Sequence, residues 1–78
     1  MNIYISNLNS TIGNHELKQL FSTYGEVKSA QIMNDVISQE SRGFGYVEME
    51  DSKAAKKAIE KLDQTEWETL VITVQEDF

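Results

Sequence analysis

The spacing of apolar residues changes period along this chain, and that pattern limits the folds open to it. Residues 3–8 (IYISNL) alternate, with Ile3 and Ile5 on one side and Asn2, Tyr4 and Ser6 on the other, as in a strand with one buried face. Turn-forming residues follow, and from Asn14 the period lengthens. Leu17, Leu20, Phe21 and Tyr24 recur at spacings of three and four, which predicts a helix with Asn14 as N-cap, Glu16 in the first turn and Gly25 as the stop. Alternation returns in residues 26–33 (EVKSAQIM), where Val27 leads into Ala30 and Ile32 on the core side and Gln31 and Met33 face away. A polar connection (NDVISQES) carries two aliphatics, Val36 and Ile37, and leads into a third strand in SRGFGYVEME, residues 41–50. Asp51 or Ser52 caps a second helix, whose Ala55, Ala58, Ile59 and Leu62 form an apolar stripe. Residues 70–75 (LVITVQ) are rich in β-branched side chains and read as the fourth strand.

The order is therefore βαββαβ. Each helix must cross over the sheet, and right-handed crossovers put both on the same side. The expected fold is an α+β, ferredoxin-like sandwich: a four-stranded antiparallel sheet with two helices on one face and the other face bare. The 78 residues allow a single domain, 1–78. A chain this size buries only about 60% of its unfolded surface, so few residues are spare.

Several function classes lose support from composition. There is no cysteine, hence no disulfide framework, thiolate nucleophile or cysteine-based metal site. His15 is the only histidine and is expected on the exposed side of the first helix. No nucleophile–base pair has a sensible spacing, so neither catalysis, a metal site nor a cofactor is expected. Met1 runs directly into a strand with no basic leader, and no stretch approaches the roughly 20 apolar residues of a membrane span. A cytoplasmic monomer is the expectation.

What the bare face carries then decides the function. Alternate side chains of a strand share a face, so Arg42, Phe44, Tyr46 and Glu48 lie opposite Gly43, Gly45, Val47 and Met49. Arg42 and Glu48 are poor tenants of a small core, which makes the Val47–Met49 side the buried one. Phe44 and Tyr46 are left toward solvent, and the same reasoning leaves Tyr4 there, beside Asn2 and Ser6. An exposed aromatic forgoes roughly 1.5–3 kcal/mol of burial. Three on the outward faces of two strands imply a binding surface.

These segments resemble a known family. RGFGYVEM resembles the eight-residue ribonucleoprotein motif of the RNA recognition motif (RRM) family, and IYISNL resembles its six-residue companion. The resemblance covers essentially the whole chain, which looks like the small single-RRM RNA-binding proteins of bacteria and equally like one domain excised from a larger protein. It implies a sheet whose first and third strands are central neighbours. Tyr4 would stack under one base, and of Phe44 and Tyr46 one would stack under a second base while the other packs against sugars. Arg42 would pair with a phosphate, and Asn7 would fix the turn after the first strand. Asn2, Gln31, Met33, Glu48, Thr73 and Gln75 complete the candidate RNA-contacting set. Met49 stands where the family often has an aromatic, which affects packing only. Thr69-Leu70 replaces a frequent Gly-Arg pair, removing a cation. Trp67 matches a large apolar residue closing the core edge.

Charge is the objection. Seven Lys+Arg stand against thirteen Asp+Glu, a formal net charge of −6, whereas polyanion binding normally rests on clustered cations. Lys53, Lys56, Lys57 and Lys61 lie on the second helix away from its apolar stripe, where they solvate it. On the sheet face Arg42, with Lys28 at the edge, is opposed by Glu48 and Glu76. One or two phosphate contacts are all this supports. Stacking needs no net charge, so the expected activity is weak, short-footprint binding of single-stranded RNA, or of single-stranded DNA, in a regulatory or chaperone-like role. The rival is a protein–protein interaction module of RRM-like fold, its acidic surface facing a basic partner and Trp67 as anchor.

Overall fold

The computed structural model describes residues 1–33 and 43–77. The elements are β1 (Asn2–Leu8), α1 (Asn14–Ser22), β2 (Val27–Met33), β3 (Gly43–Met49), α2 (Ser52–Leu62), β4 (Glu66–Trp67), β5 (Leu70–Val71) and β6 (Thr73–Asp77). The main sheet has the order β2-β3-β1-β6, with every neighbouring pair antiparallel. β1 and β3 are thus the central strands. α1 lies over β2 and β3 and α2 over β6 and β3, both against the same face. The expected α+β ferredoxin-like sandwich is the fold observed. Val36, Ile37, Arg42 and Phe78 lie outside the described residues.

Alternation holds the core together. Ile3, Ile5 and Leu8 of β1, Val47 and Met49 of β3 and Val74 of β6 meet Leu17 and Phe21 of α1 and Ala55, Ala58 and Leu62 of α2. Ile5 and Leu8 are three residues apart, a spacing that puts side chains of a regular strand on opposite faces. The β1–β3 register shifts between them, and Asn7 takes a left-handed φ of 63° there. A bulge in β1 turns Leu8 back into the core. β2 solves the same problem. Val27 and Ala30 both face inward because the register with β3 shifts between Val27 and Ser29, which leaves Lys28 as an extra, exposed residue.

Three sequence expectations need correction. The N-cap of α1 is Gly13, one residue before Asn14, and its N–H donates to Glu16 Oε2 at 3.0 Å. Asn14 instead uses its Oδ1 to accept from the Ile32 N–H at 2.7 Å, tying the helix start to β2. α1 stops at Ser22 with Thr23 as C-cap, and Gly25 has no positive φ. Its lack of a side chain has another use, since a Cβ there would lie 2.7 Å from Ala54 Cβ of α2. Asp51 caps α2, accepting from the Lys53 N–H at 2.9 Å.

The third correction concerns LVITVQ. Leu70–Val71 pairs with Glu66–Trp67 as a separate hairpin, and only from Thr73 does the chain join the main sheet. Between them Ile72 is fully buried, and its backbone bonds back to the loop: its N–H donates to the Thr65 carbonyl and its carbonyl accepts from the Gln64 N–H, both at 2.9 Å.

Gly45 illustrates how closely α1 approaches the sheet. A Cβ on it would stand 2.9 Å from the Gln31 carbonyl oxygen and 3.1 Å from Leu17 Cδ2. Backbone cannot give way as a flexible side chain does, so Gly45→Ala should destabilise the fold by about 1–3 kcal/mol. Urea unfolding measures this, and an unchanged midpoint would contradict the packing described.

Candidate nucleic-acid interface

Strand register arranges the open face in rows, because directly opposed residues of an antiparallel pair point to the same side. The middle row runs Gln31, Tyr46, Tyr4, Gln75 across β2, β3, β1 and β6. On one side of it, Met33 pairs with Phe44, and Ser6 with Thr73. On the other side lie Ser29, Glu48, Asn2 and Asp77. Nine of the ten sequence-derived candidates therefore share this face: Tyr4, Phe44, Tyr46, Asn2, Gln31, Met33, Glu48, Thr73 and Gln75. Arg42, the tenth, lies outside the described residues.

The three rings form a triangle. Centroid separations are 5.9 Å for Tyr4–Phe44, 5.5 Å for Tyr4–Tyr46 and 6.1 Å for Phe44–Tyr46, with tilted or edge-on planes. Such pairs are favourable beyond their area. Mutual contact also leaves the rings less bare than alternation alone implies. Tyr4 and Phe44 are half-buried and Tyr46 is 37% exposed. The cost of keeping them at the surface is thus only part of the full burial energy. Met33, 42% exposed beside Phe44, extends the apolar area toward the β2 edge.

The polar surround is not uniform. Thr73 Oγ1 accepts from Gln64 Nε2 at 3.3 Å, which ties the β6 edge to the loop after α2. Glu48 and Asp77 both flank Asn2 in register. Asp77 therefore takes the place expected for Glu76 on this face. Glu76 pairs with Ile3, whose side chain is fully buried on the helix side. The lysines Lys53, Lys56, Lys57 and Lys61 are all exposed on α2, across the sheet from the rings.

Asparagines brace the ends of the strands. Asn7 Nδ2 donates to the Val71 carbonyl at 2.7 Å, so it fastens β1 to the β4–β5 hairpin. Fixing the turn after β1, expected of Asn7, falls to Asn9, whose Oδ1 accepts from the Thr11 N–H at 3.0 Å. Asn9 Nδ2 reaches the hairpin too, donating to the Glu68 carbonyl at 3.0 Å. Its position in a turn-forming run was the available signal. Trp67 is half-buried against the core, and with Glu16, Gln19, Leu20 and Glu68 it lines a groove of about 290 Å³. His15 is exposed on α1.

The chain matches the family model for the RNA recognition motif over residues 3–73. It belongs to the RNA recognition motif family. A Nostoc protein named RbpE, designated a candidate RNA-binding protein, is 42% identical over 74 residues, covering 95% of this chain and 75% of its own length. Glycine-rich RNA-binding protein 8 of Arabidopsis thaliana is 38% identical over 73 residues, 94% of this chain but 43% of the relative. Among solved structures, that of an RNA-binding protein called PG1 superposes with a TM-score of 0.88 at 43% identity, covering 99% of this chain and 93% of that one. This RRM thus spans most of some relatives and less than half of others.

Asn7 supports the interface from below, and its two contributions are separable. Asn7→Ala removes the bond to Val71 and forces an alanine into the left-handed region, at a cost of about 2–3 kcal/mol. Asn7→Gly loses the bond alone and should cost about 1 kcal/mol. Unfolding midpoints of the two variants test the ordering, and equal losses would contradict it.

Proposed function

We propose that this RRM is a cytoplasmic, monomeric binder of single-stranded RNA, with residues 1–78 acting as one domain. Tyr4 stacks under one base, and of Phe44 and Tyr46 one stacks under a second while the other packs against the sugars between them. The observation that carries this is the ring triangle at the centre of the open face, flanked by hydrogen-bonding amides at Gln31 and Gln75. Bases are unstacked and reachable in single strands, and every base offers a flat face to a ring. Single-stranded DNA offers the same faces and is expected to compete. Family membership and an intact ring set favour this reading over a protein-partner module. Arg42 is assigned to one phosphate from its position in the octamer motif. Gln31, Met33, Thr73 and Gln75 line the base edges, as do Asn2 and Glu48.

The magnitudes imply modest affinity. Base–aromatic stacking contributes about 1–3 kcal/mol per base. Two bases and one phosphate, less the cost of association, give a Kd in the roughly micromolar to submillimolar range. Such short, reversible contact suits a regulatory or chaperone-like handling of RNA.

Titration of uridine-rich and mixed hexanucleotides tests the proposal. Phe44→Ala and Tyr46→Ala should each weaken binding roughly 5- to 150-fold while the fold stays intact. Lys57→Ala, on the far side, should leave affinity within about twofold. The salt slope should be shallow, near −0.7 per phosphate neutralised. A slope steeper than about −3, or unchanged affinity in both ring variants, would overturn the stacking mechanism.

A further inference from the structure

The open face is asymmetric about its rings, and the asymmetry bears on which base it accepts. On the β1 strand Tyr4 is followed, two residues toward the chain start, by Asn2, about 7 Å away on the same side. Asn2 is opposed by Glu48 on β3 and by Asp77 on β6. An amide thus sits between two carboxylates in the row next to Tyr4. The row on the other side of the rings carries Met33, Phe44, Ser6 and Thr73 and no described charge. Glu48 is half-buried and Asp77 exposed.

We propose that this Glu48–Asn2–Asp77 row makes the Tyr4 position selective for guanine and disfavours uracil. The inference rests on the stacking reading and refines it. A carboxylate only accepts hydrogen bonds, whereas an amide both donates and accepts. Guanine presents two adjacent donors, N1–H and N2–H, next to an acceptor, O6. One carboxylate takes both donors, and the Asn2 Nδ2 donates to O6. Uracil has one donor, N3–H, between two carbonyl oxygens, so a carboxylate facing that edge meets an acceptor on each side. Adenine and cytosine, with one exocyclic amine each, fall between. Diagonal neighbours across a sheet have Cβ atoms about 7–8 Å apart, within reach of side chains of this length and a stacked base. The same carboxylates repel phosphate, so the backbone is directed toward the Phe44 row.

Three pentaribonucleotides decide the matter: UUGUU, UUIUU with inosine at the centre, and UUUUU. Binding is measured by titration with wild type, Glu48→Gln and Asp77→Asn, and with Phe44→Ala and Tyr46→Ala as the stacking controls. A single guanine can slide to Tyr4, so UUGUU should bind about tenfold tighter than UUUUU. Inosine, lacking the 2-amine, should lie between. At least one carboxylate variant should shrink the gap to about threefold or less, mainly by improving UUUUU. An undiminished gap in both variants would overturn the proposal. So would equal strengthening of all three RNAs, which marks plain phosphate repulsion. If none of the RNAs binds wild type, or Phe44→Ala and Tyr46→Ala both leave binding unchanged, the stacking reading itself fails and the selectivity falls with it.

Discussion

Pairing between β1 and β3 governs the open face, since it brings Tyr4 opposite Tyr46 and sets Phe44 beside both. A one-residue slip of β1 would turn Tyr4 into the core and expel Ile3 and Ile5. Several features lock that register. Ile3, Ile5, Val47 and Met49 are almost fully buried on the helix side. Gly45 admits Leu17 and the neighbouring strand at contact distance. At the far end the bulge around Asn7 lets Leu8 return inward, and the Asn7–Val71 bond holds that conformation. The ring platform is thus a consequence of core packing on the opposite face, and stabilising one stabilises the other.

Charge distribution explains how an acidic chain accommodates this site. Four of the seven Lys+Arg residues decorate α2, behind the sheet. Around the rings the described charges are Glu48 and Asp77, both on the Asn2 row. Binding that depended on counterion release would be poor here. Stacking and edge hydrogen bonds are short-ranged and tolerate an unfavourable overall field. Under the proposed guanine preference, such a platform trades affinity for discrimination, because a carboxylate near a base edge costs energy with every base that lacks a matching donor.

Most of the architecture was legible because both periodicities were clean. Ile3/Ile5, Val47/Met49 and the Ala55–Leu62 stripe each allowed one buried face, and the burial of those residues fixed the side left to Tyr4, Phe44 and Tyr46. The interruptions were harder to read. The β4–β5 hairpin turns through Glu68 and Thr69, with φ of 50° and 73°. Positive φ at both central residues ordinarily calls for Asn or Gly. Glu-Thr gives no such signal, and the turn is held by tertiary contact, with Asn9 reaching across 59 residues to the Glu68 carbonyl. Gly25 misled for a related reason. Glycine at a helix end commonly supplies a left-handed cap, yet here it makes room for Ala54 of a distant helix. Asn14 was drawn from the cap to a neighbouring strand in the same way. In each case a long-range contact overrode the local preference.

The central claim is that nucleobases stack on Tyr4 and on one of Phe44 and Tyr46. Proton NMR of the aromatic side chains during titration with a short single-stranded RNA measures this most directly. The account predicts upfield ring-current shifts of the Tyr4 and Phe44 or Tyr46 ring protons, with the Lys53–Lys61 side of α2 unmoved. Perturbations concentrated on α2, with all three rings unshifted at saturation, would contradict it.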